Sequence, residues 1–300
     1  MQGLSPLKRL RLSGVTPARH LGQNFLIDAN ILDVIERLAA LSAADVVLEV
    51  GPGAGVLTER LLKRCGFVHA VEVDSRLAAM LRQEFGGRAN FRLDEADALK
   101  LSFGSLAPPP SKFVANLPYN VAAPLVMKSL EELPGMKLWC LMVQKEIGGR
   151  LFARPGTAAY GGVSVMVQLL AEKIAVRPVP ETVFYPRPRV RSSLVVFRRR
   201  PGAGYTGSHF SAVRKVVYGC FSHRRKTLAN SLASVDADRL PRTLGNMQPE
   251  ERKRLVELLL GHMGLEPNAR AGQLSPCQHE RLARLITEGL VDHGDSTGGA

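Results

Sequence analysis

A five-residue run with a single charge, Val46-Val47-Leu48-Glu49-Val50, leads directly into Gly51-Pro52-Gly53-Ala54-Gly55, and an amphipathic stretch follows at 56–64. A buried strand, a glycine turn and a helix in that order form the opening unit of a parallel α/β sheet. Glycines at the turn let the backbone approach a ligand closely, with the N–H groups of the next helix facing the same crevice. The alternation continues: strand at 67–73, helix at 75–85 capped by Ser75, short strands at 90–93 and 113–115, helix at 124–133 and strand at 138–143. Upstream, Asp28 opens a helix with Ile31, Leu32, Ile35 and Leu38 inward. This spacing predicts a parallel sheet. Residues 174–179 and 192–197 read as a strand pair added beside it, joined by a stretch containing Pro178, Pro180, Pro186 and Pro188. Arg198-Arg199-Arg200-Pro201-Gly202 reads as a linker. Beyond it the periodicity is helical at 210–221, 225–233, 250–263 and 276–287, and residues 292–300 form a small, polar tail expected to fray. Two domains are therefore expected, an α/β domain at 1–200 and a helical one at 201–300.

Composition narrows the function. With 45% apolar and 22% charged residues over 300 positions, the chain has ample core and is not a disordered one. No apolar run approaches the roughly 20 residues of a membrane span. Cys65, Cys140, Cys220 and Cys277 lie far apart without a CxxC pair, which suits a reducing, cytoplasmic setting and offers neither a disulfide framework nor a metal site. Forty Lys and Arg against 27 Asp and Glu give a formal charge of +13, an excess that points to a polyanion, nucleic acid above all. Residues 1–27 contain no acid and carry Lys8, Arg9, Arg11 and Arg19. With no apolar stretch behind them they are no secretory signal; a transit peptide fits the composition, but Gln23-Asn24-Phe25-Leu26 follows almost at once, which favours a basic RNA-facing arm.

The acids around the glycine turn define the ligand. A dinucleotide site wants G-x-G-x-x-G, yet Val56 stands where its last glycine belongs and Gly55 precedes it. Glu72, in Val71-Glu72-Val73-Asp74, ends the second strand, where a carboxylate accepts both hydroxyls of a ribose. Asp97 follows the third strand, placed for an adenine amino group. Together with Gly51 and Gly53, this ordered set fits S-adenosylmethionine better than NAD. Asn116-Leu117-Pro118-Tyr119 follows the fourth strand, at the carboxyl edge where such sheets do chemistry. An adenine N6 lone pair is delocalised and weakly nucleophilic. The Asn116 side-chain oxygen and the Leu117 carbonyl are two acceptors for the N6 hydrogens, Pro118 stiffens the turn, and the Tyr119 ring offers a face to an unstacked base. No strong base is required, because the sulfonium leaves neutral, so positioning carries the catalysis. Phe184, in Val183-Phe184-Tyr185-Pro186-Arg187-Pro188-Arg189-Val190, is a second aromatic for the other face of the base.

These segments, in this order, resemble the rRNA adenine N6-dimethyltransferases. Phe221-Ser222-His223-Arg224-Arg225-Lys226-Thr227-Leu228-Ala229-Asn230-Ser231-Leu232 is similar to the Phe-x-x-Arg-Arg-Lys-Thr-x-x-Asn-Ser-Leu signature of the small-subunit, kasugamycin-sensitivity branch, and Tyr160-Gly161 with Ser164-Val165-Met166 agrees. The resemblance covers roughly residues 15–290. It implies a Rossmann-like class I S-adenosylmethionine-dependent methyltransferase sheet with a smaller C-terminal all-helical domain. It also implies cofactor contacts from Asn24, Leu26, Gly51, Glu72, Asp97 and Asn116, and dimethylation of two adjacent adenosines near the 3′ end of small-subunit rRNA. The expected substrate is an assembling small subunit and the expected protein a monomer, free of metal and membrane. Arg224, Arg225 and Lys226, read at the start of a helix, suit phosphates. Ala122 and Ala123 stand where the family usually has Ser or Thr. Two alternatives are weighed: a large-subunit methyltransferase of the macrolide-resistance branch, which residues 221–232 disfavour, and a non-catalytic RNA-binding assembly factor, which an intact Asn116 and Tyr119 disfavour. An NAD dehydrogenase is more distant.

Overall fold

Strands and helices alternate in space where apolar runs alternate with amphipathic stretches in the chain. The computed structural model describes residues 8, 14, 23–202 and 207–288; the expectations for the basic N-terminal arm and for the tail at 292–300 therefore lie outside the described residues, Lys8 and Gly14 apart. The chain forms two compact units, residues 1–151 with 170–204, and residues 152–169 with 205–300.

The first unit is built on a seven-stranded sheet. Its parallel strands are β2 (Val46–Val50), β3 (Phe67–Glu72), β4 (Phe91–Glu95), β5 (Lys112–Asn116) and β6 (Leu138–Gln144), joined by the antiparallel β7 (Ala171–Val179) and β9 (Ser192–Arg199) in the order β4-β3-β2-β5-β6-β9-β7. The strand pair expected beside a parallel sheet is thus present. A two-residue ladder lies apart, β1 (Phe25–Leu26) against β8 (Phe184–Tyr185).

Alternate residues of each strand face one helical layer, as the period of two requires. On one side, α1 (Ala29–Ala39), α2 (Val56–Arg64) and α3 (Ser75–Phe85) bury Leu32, Ile35, Leu61, Leu81 and Phe85 against Val47, Val68, Ala70, Val114 and Cys140. Asp28 caps α1 through the Ile31 N–H, as expected. Asp74 rather than Ser75 caps α3, since its carboxylate accepts from Arg76 N and Ser75 is already helical. Lys112, buried at the start of β5, donates to the carbonyls of Ala39 and Ala40 and pairs with Asp45 at 2.9 Å, holding the C-terminus of α1 on the sheet.

The opposite face carries α4 (Ala122–Glu132) and α5 (Lys145–Leu151). There Trp139 stacks on Phe197 and donates to Ser129 Oγ at 2.8 Å. Pro124 sits in the first turn of α4, where a missing N–H costs nothing, so the helix starts two residues before it. The N-cap position is Val121, without a side-chain cap. Arg198 and Arg199, read as linker, complete β9. Arg199 donates to the carbonyls of Leu130, Leu133 and Met136 and lies over Trp139, satisfying the open end of α4.

The second unit contains α6 (Gly162–Leu170, up to residue 169), α7 (Gly207–Cys220), α8 (Leu228–Ala233), α9 (Arg242–Gly245), α10 (Pro249–His262) and α11 (Pro276–Glu288). The sequence pattern drew the boundary at residue 200, yet residues 152–169 group with these helices. Tyr160 explains it: the side chain is fully buried, donates to the Leu274 carbonyl at 2.8 Å and meets the Phe221 ring edge-on. Arg252 is buried as well and spends its guanidinium on the carbonyls of Val235, Leu244, Gly245 and Met247. His279, buried against Phe221 and bonded to the Ala271 carbonyl, is pushed down to about 4 by desolvation and stays neutral at physiological pH. No helix among the described residues is long and apolar enough to cross a membrane.

Candidate functional site: a crevice at the switch point of the sheet

The strand order reverses between β2 and β5, the place where open α/β sheets bind ligands beyond their carboxyl ends. The glycine turn follows β2 and the Asn-Leu-Pro-Tyr segment follows β5, so topology brings together segments more than sixty residues apart. A cavity of about 250 Å³ opens between them. Asn24, Leu26, Gly51, Gly53, Glu72, Asp97 and Asn116 all line it, as do Leu117, Pro118 and Tyr119.

The turn has the shape its glycines allow. Gly51, Gly53 and Gly55 have φ of 71°, 59° and 72°, in the left-handed region. A Cβ on Gly53 would stand 2.8 Å from the Phe25 ring, and one on Gly55 would strike Leu81 and Phe85 at the same distance. The first contact keeps the backbone close under the ligand space; the second seats α2 against α3.

Each acid has a distinct surrounding. Glu72 accepts from the N–H groups of Gly53, Val73 and Asp74 at 3.2, 2.9 and 2.9 Å, which fixes its carboxylate at the end of β3. Burial still outweighs these bonds and raises its pKa. Glu49, wholly buried, is pushed up to about 8 by desolvation, against a 2.7 Å bond from Thr58 Oγ1 and with the nearby Glu72 adding to the rise. Asp97 accepts from Leu99 N at 2.9 Å through one oxygen, so it shapes its own turn while lining the cavity. Asp74, held down by Arg76, accepts from Gln23 Nε2 and ties residues 23–26 to the rim. Thr58 and this Gln23–Asp74 bond escaped the sequence reading; both are ordinary residue types whose position only the fold reveals.

At the other wall, Asn116 lines the cavity and its Nδ2 donates to the Asn24 carbonyl at 2.8 Å, so Oδ1 is not spent on that bond. No described residue donates to Asn116 Oδ1 or to the Leu117 carbonyl. Two adjacent acceptors without partners at a ligand wall are what an exocyclic amine needs. The Tyr119 hydroxyl meets Ser192 Oγ at 2.7 Å, pinning the ring to the head of β9. Phe184 is not among the residues that line the cavity; at 1% exposure it packs into the core, paired with Leu26 across the β1–β8 ladder.

In the second unit Arg224, Arg225 and Lys226 are all exposed, but they precede α8 instead of starting it, Thr227 being the N-cap. Arg224 donates to the carbonyls of Ala158 and Tyr160, both at 2.9 Å, and Lys226 to Ser234 Oγ. Arg225 has no side-chain partner among the described residues. Arg224 thus holds the inserted segment in place as well as carrying charge.

A glycine turn, carboxylates after successive strands and an Asn-Leu-Pro-Tyr wall, placed at the switch point of a sheet with an antiparallel end, define a Rossmann-like class I methyltransferase fold. The comparisons agree: a crystal structure of a dimethyladenosine transferase from Plasmodium falciparum superposes with a TM-score of 0.70 at 28% identity, covering 86% of this chain and 95% of that one. The 23S rRNA methyltransferase ErmE follows at 0.59 and 29%, over 88% and 99%. The family profile described as ribosomal RNA adenine dimethylase matches residues 16–244, and the chain belongs to that family. It is 43% identical to the ribosomal RNA small subunit methyltransferase A of Rubrobacter xylanophilus over 92% of this chain and 98% of the relative. With the protein of the same name from Moorella thermoacetica it shares 38%, over 93% and 96%.

Proposed function

We propose that this protein is an enzyme that transfers methyl groups from S-adenosyl-L-methionine to N6 of two adjacent adenosines near the 3′ end of small-subunit rRNA, in an assembling small subunit. The observation that carries the reading is the pair of acceptors without a donor among the described residues, Asn116 Oδ1 and the Leu117 carbonyl, on the wall of a cavity that also holds the glycine turn and Glu72. When bound, S-adenosylmethionine supplies an electrophilic methyl group on a sulfonium. The residues present fit it: Gly51 and Gly53 bring the backbone of the turn to the cavity wall, Glu72 faces the cavity as a ribose acceptor, and Asp97 as a partner for the adenine amine.

The chain's own work is orientation. Asn116 Oδ1 and the Leu117 carbonyl take the two N6 hydrogens, drawing the nitrogen toward a pyramidal geometry and freeing its lone pair. Pro118 fixes the turn between them, with its Cδ 3.4 Å from where a Gly51 Cβ would be, so the two walls are in mutual contact. The Tyr119 ring, anchored through Ser192, gives the unstacked base a face. After one transfer a single N–H remains, and either acceptor holds it while the amine turns for the next. The proton passes to solvent, so no buried base is needed. Positioning of this kind is worth several orders of magnitude in rate.

Asn116→Ala tests the assignment. We expect loss of methylation by at least about a thousandfold, with S-adenosylmethionine affinity in calorimetry reduced no more than severalfold. Equal loss of both would make Asn116 a cofactor ligand only.

A further inference from the structure

We propose that the arginine–proline loop at 186–191, with the exposed Tyr185 at its start, grips the single-stranded rRNA backbone beside the target adenine; this rests on the reading of the crevice as an rRNA methyltransferase site. Both ends of the loop are tied to the walls of the cavity. At one end Tyr185 pairs in register with Phe25, a cavity residue. At the other, Ser192 bonds to Tyr119, and the Arg191 carbonyl accepts from Lys145 N at 2.9 Å, which brings the N-terminus of α5 alongside. The loop therefore borders the place where the base must enter.

Its chemistry is that of a backbone grip. Arg187, Arg189 and Arg191 are exposed, and none makes an ion pair or side-chain hydrogen bond with a described residue. In the same unit Arg60, Arg76, Arg82 and Arg92 each have a carboxylate partner. Arg37, Arg88 and Arg177 share the loop's lack of one among the described residues but do not border the cavity. No acid occurs from residue 182 to 191, and the flanking Glu181 and Glu146 are exposed without pairing to the loop. Pro186 and Pro188 restrict the backbone around Arg187, so less freedom is lost when it binds. Tyr185 and Val190 are 46% and 42% exposed, large apolar surface next to these cations. Arginines that track phosphates, interleaved with a ring on which a base stacks, are how proteins hold single strands. A folded protein partner would need complementary acidic surface; the nearby base-accepting wall selects RNA instead.

The test uses the full chain and small subunits lacking the modification. Two triple variants are compared with the wild type, R187Q/R189Q/R191Q and R187K/R189K/R191K, for subunit binding across a salt series, with S-adenosylmethionine affinity as the check on folding. Each lost phosphate contact on a single strand lowers the slope of log K against log salt by about 0.7, so the glutamine variant should lose about 2 from it and bind at least about tenfold more weakly at low salt. The lysine variant, keeping the charge, should stay near the wild-type slope, and cofactor affinity should be unchanged in both. An unchanged slope in the glutamine variant, with an active wild type, would overturn the loop assignment alone. A reduced slope with an inactive wild type would sustain the loop as an RNA grip and overturn the methyltransferase reading.

Discussion

Glu49 shows how one residue can carry two consequences. Its carboxyl sits at full burial beside Thr58 and Glu72, with a pKa near 8 against an ordinary 4.5. Between those values the folded protein holds a proton that the unfolded chain releases, so stability falls as pH rises through that window, by up to about 1.4 kcal/mol per unit. Glu49→Gln is neutral at every pH and keeps an oxygen for Thr58. Urea unfolding at pH 6 and pH 8 should therefore show a loss for the wild type that exceeds the variant's by at least about 1 kcal/mol; equal losses would mean Glu49 is ionised throughout. At this scale the sequence was readable for position: Glu72 and Asp97, read from the ends of successive strands, both line the cavity. The burial of Phe184 was not readable, because it depends on a two-residue partner strand that leaves no periodic signal.

At the scale of elements, apolar spacing located the long strands and most helices to within a few residues. The elements it passed over include the two-residue strands β1 and β8, the glycine-containing α5 and the largely apolar α6, which has no exposed polar face to mark a helical period. Lys145–Leu151 contains Gly148 and Gly149, poor helix formers, and Gly148 is there because a Cβ would press on Val195 at 2.8 Å. The start of α8 was set too early because Arg225 and Lys226 are good helix formers, whereas Thr227 takes the capping role through Asn230 N. Arg252 was invisible, since a buried arginine has the same letter as a solvated one. It joins α9, α10 and the turn before them through four carbonyls. Arg252→Met retains the apolar stem and leaves those acceptors unmet, and we expect a loss of roughly 3 kcal/mol in denaturant unfolding. S-adenosylmethionine affinity should be unchanged, because every cavity wall belongs to the first unit. A loss below about 0.5 kcal/mol would show that those carbonyls find other donors.

For the whole molecule, the fold class followed from the alternation of elements, while the excursion at 152–169 did not. Residues 152–169 make too short an excursion to show a pattern of their own, and their place is set by contacts of Tyr160 and Gly156 with residues around 272–274. The net charge of +13 fits a partner rich in phosphate, with the exposed arginines of residues 187–191 at the crevice as its local expression. The crevice is proposed to dimethylate adenine in the small subunit. Small and large subunits lacking the modification, incubated with the protein and S-adenosylmethionine, can be digested and their nucleosides weighed by mass spectrometry. We predict N6,N6-dimethyladenosine in the small subunit alone, two per particle. Its appearance in the large subunit, or in neither, would contradict the account.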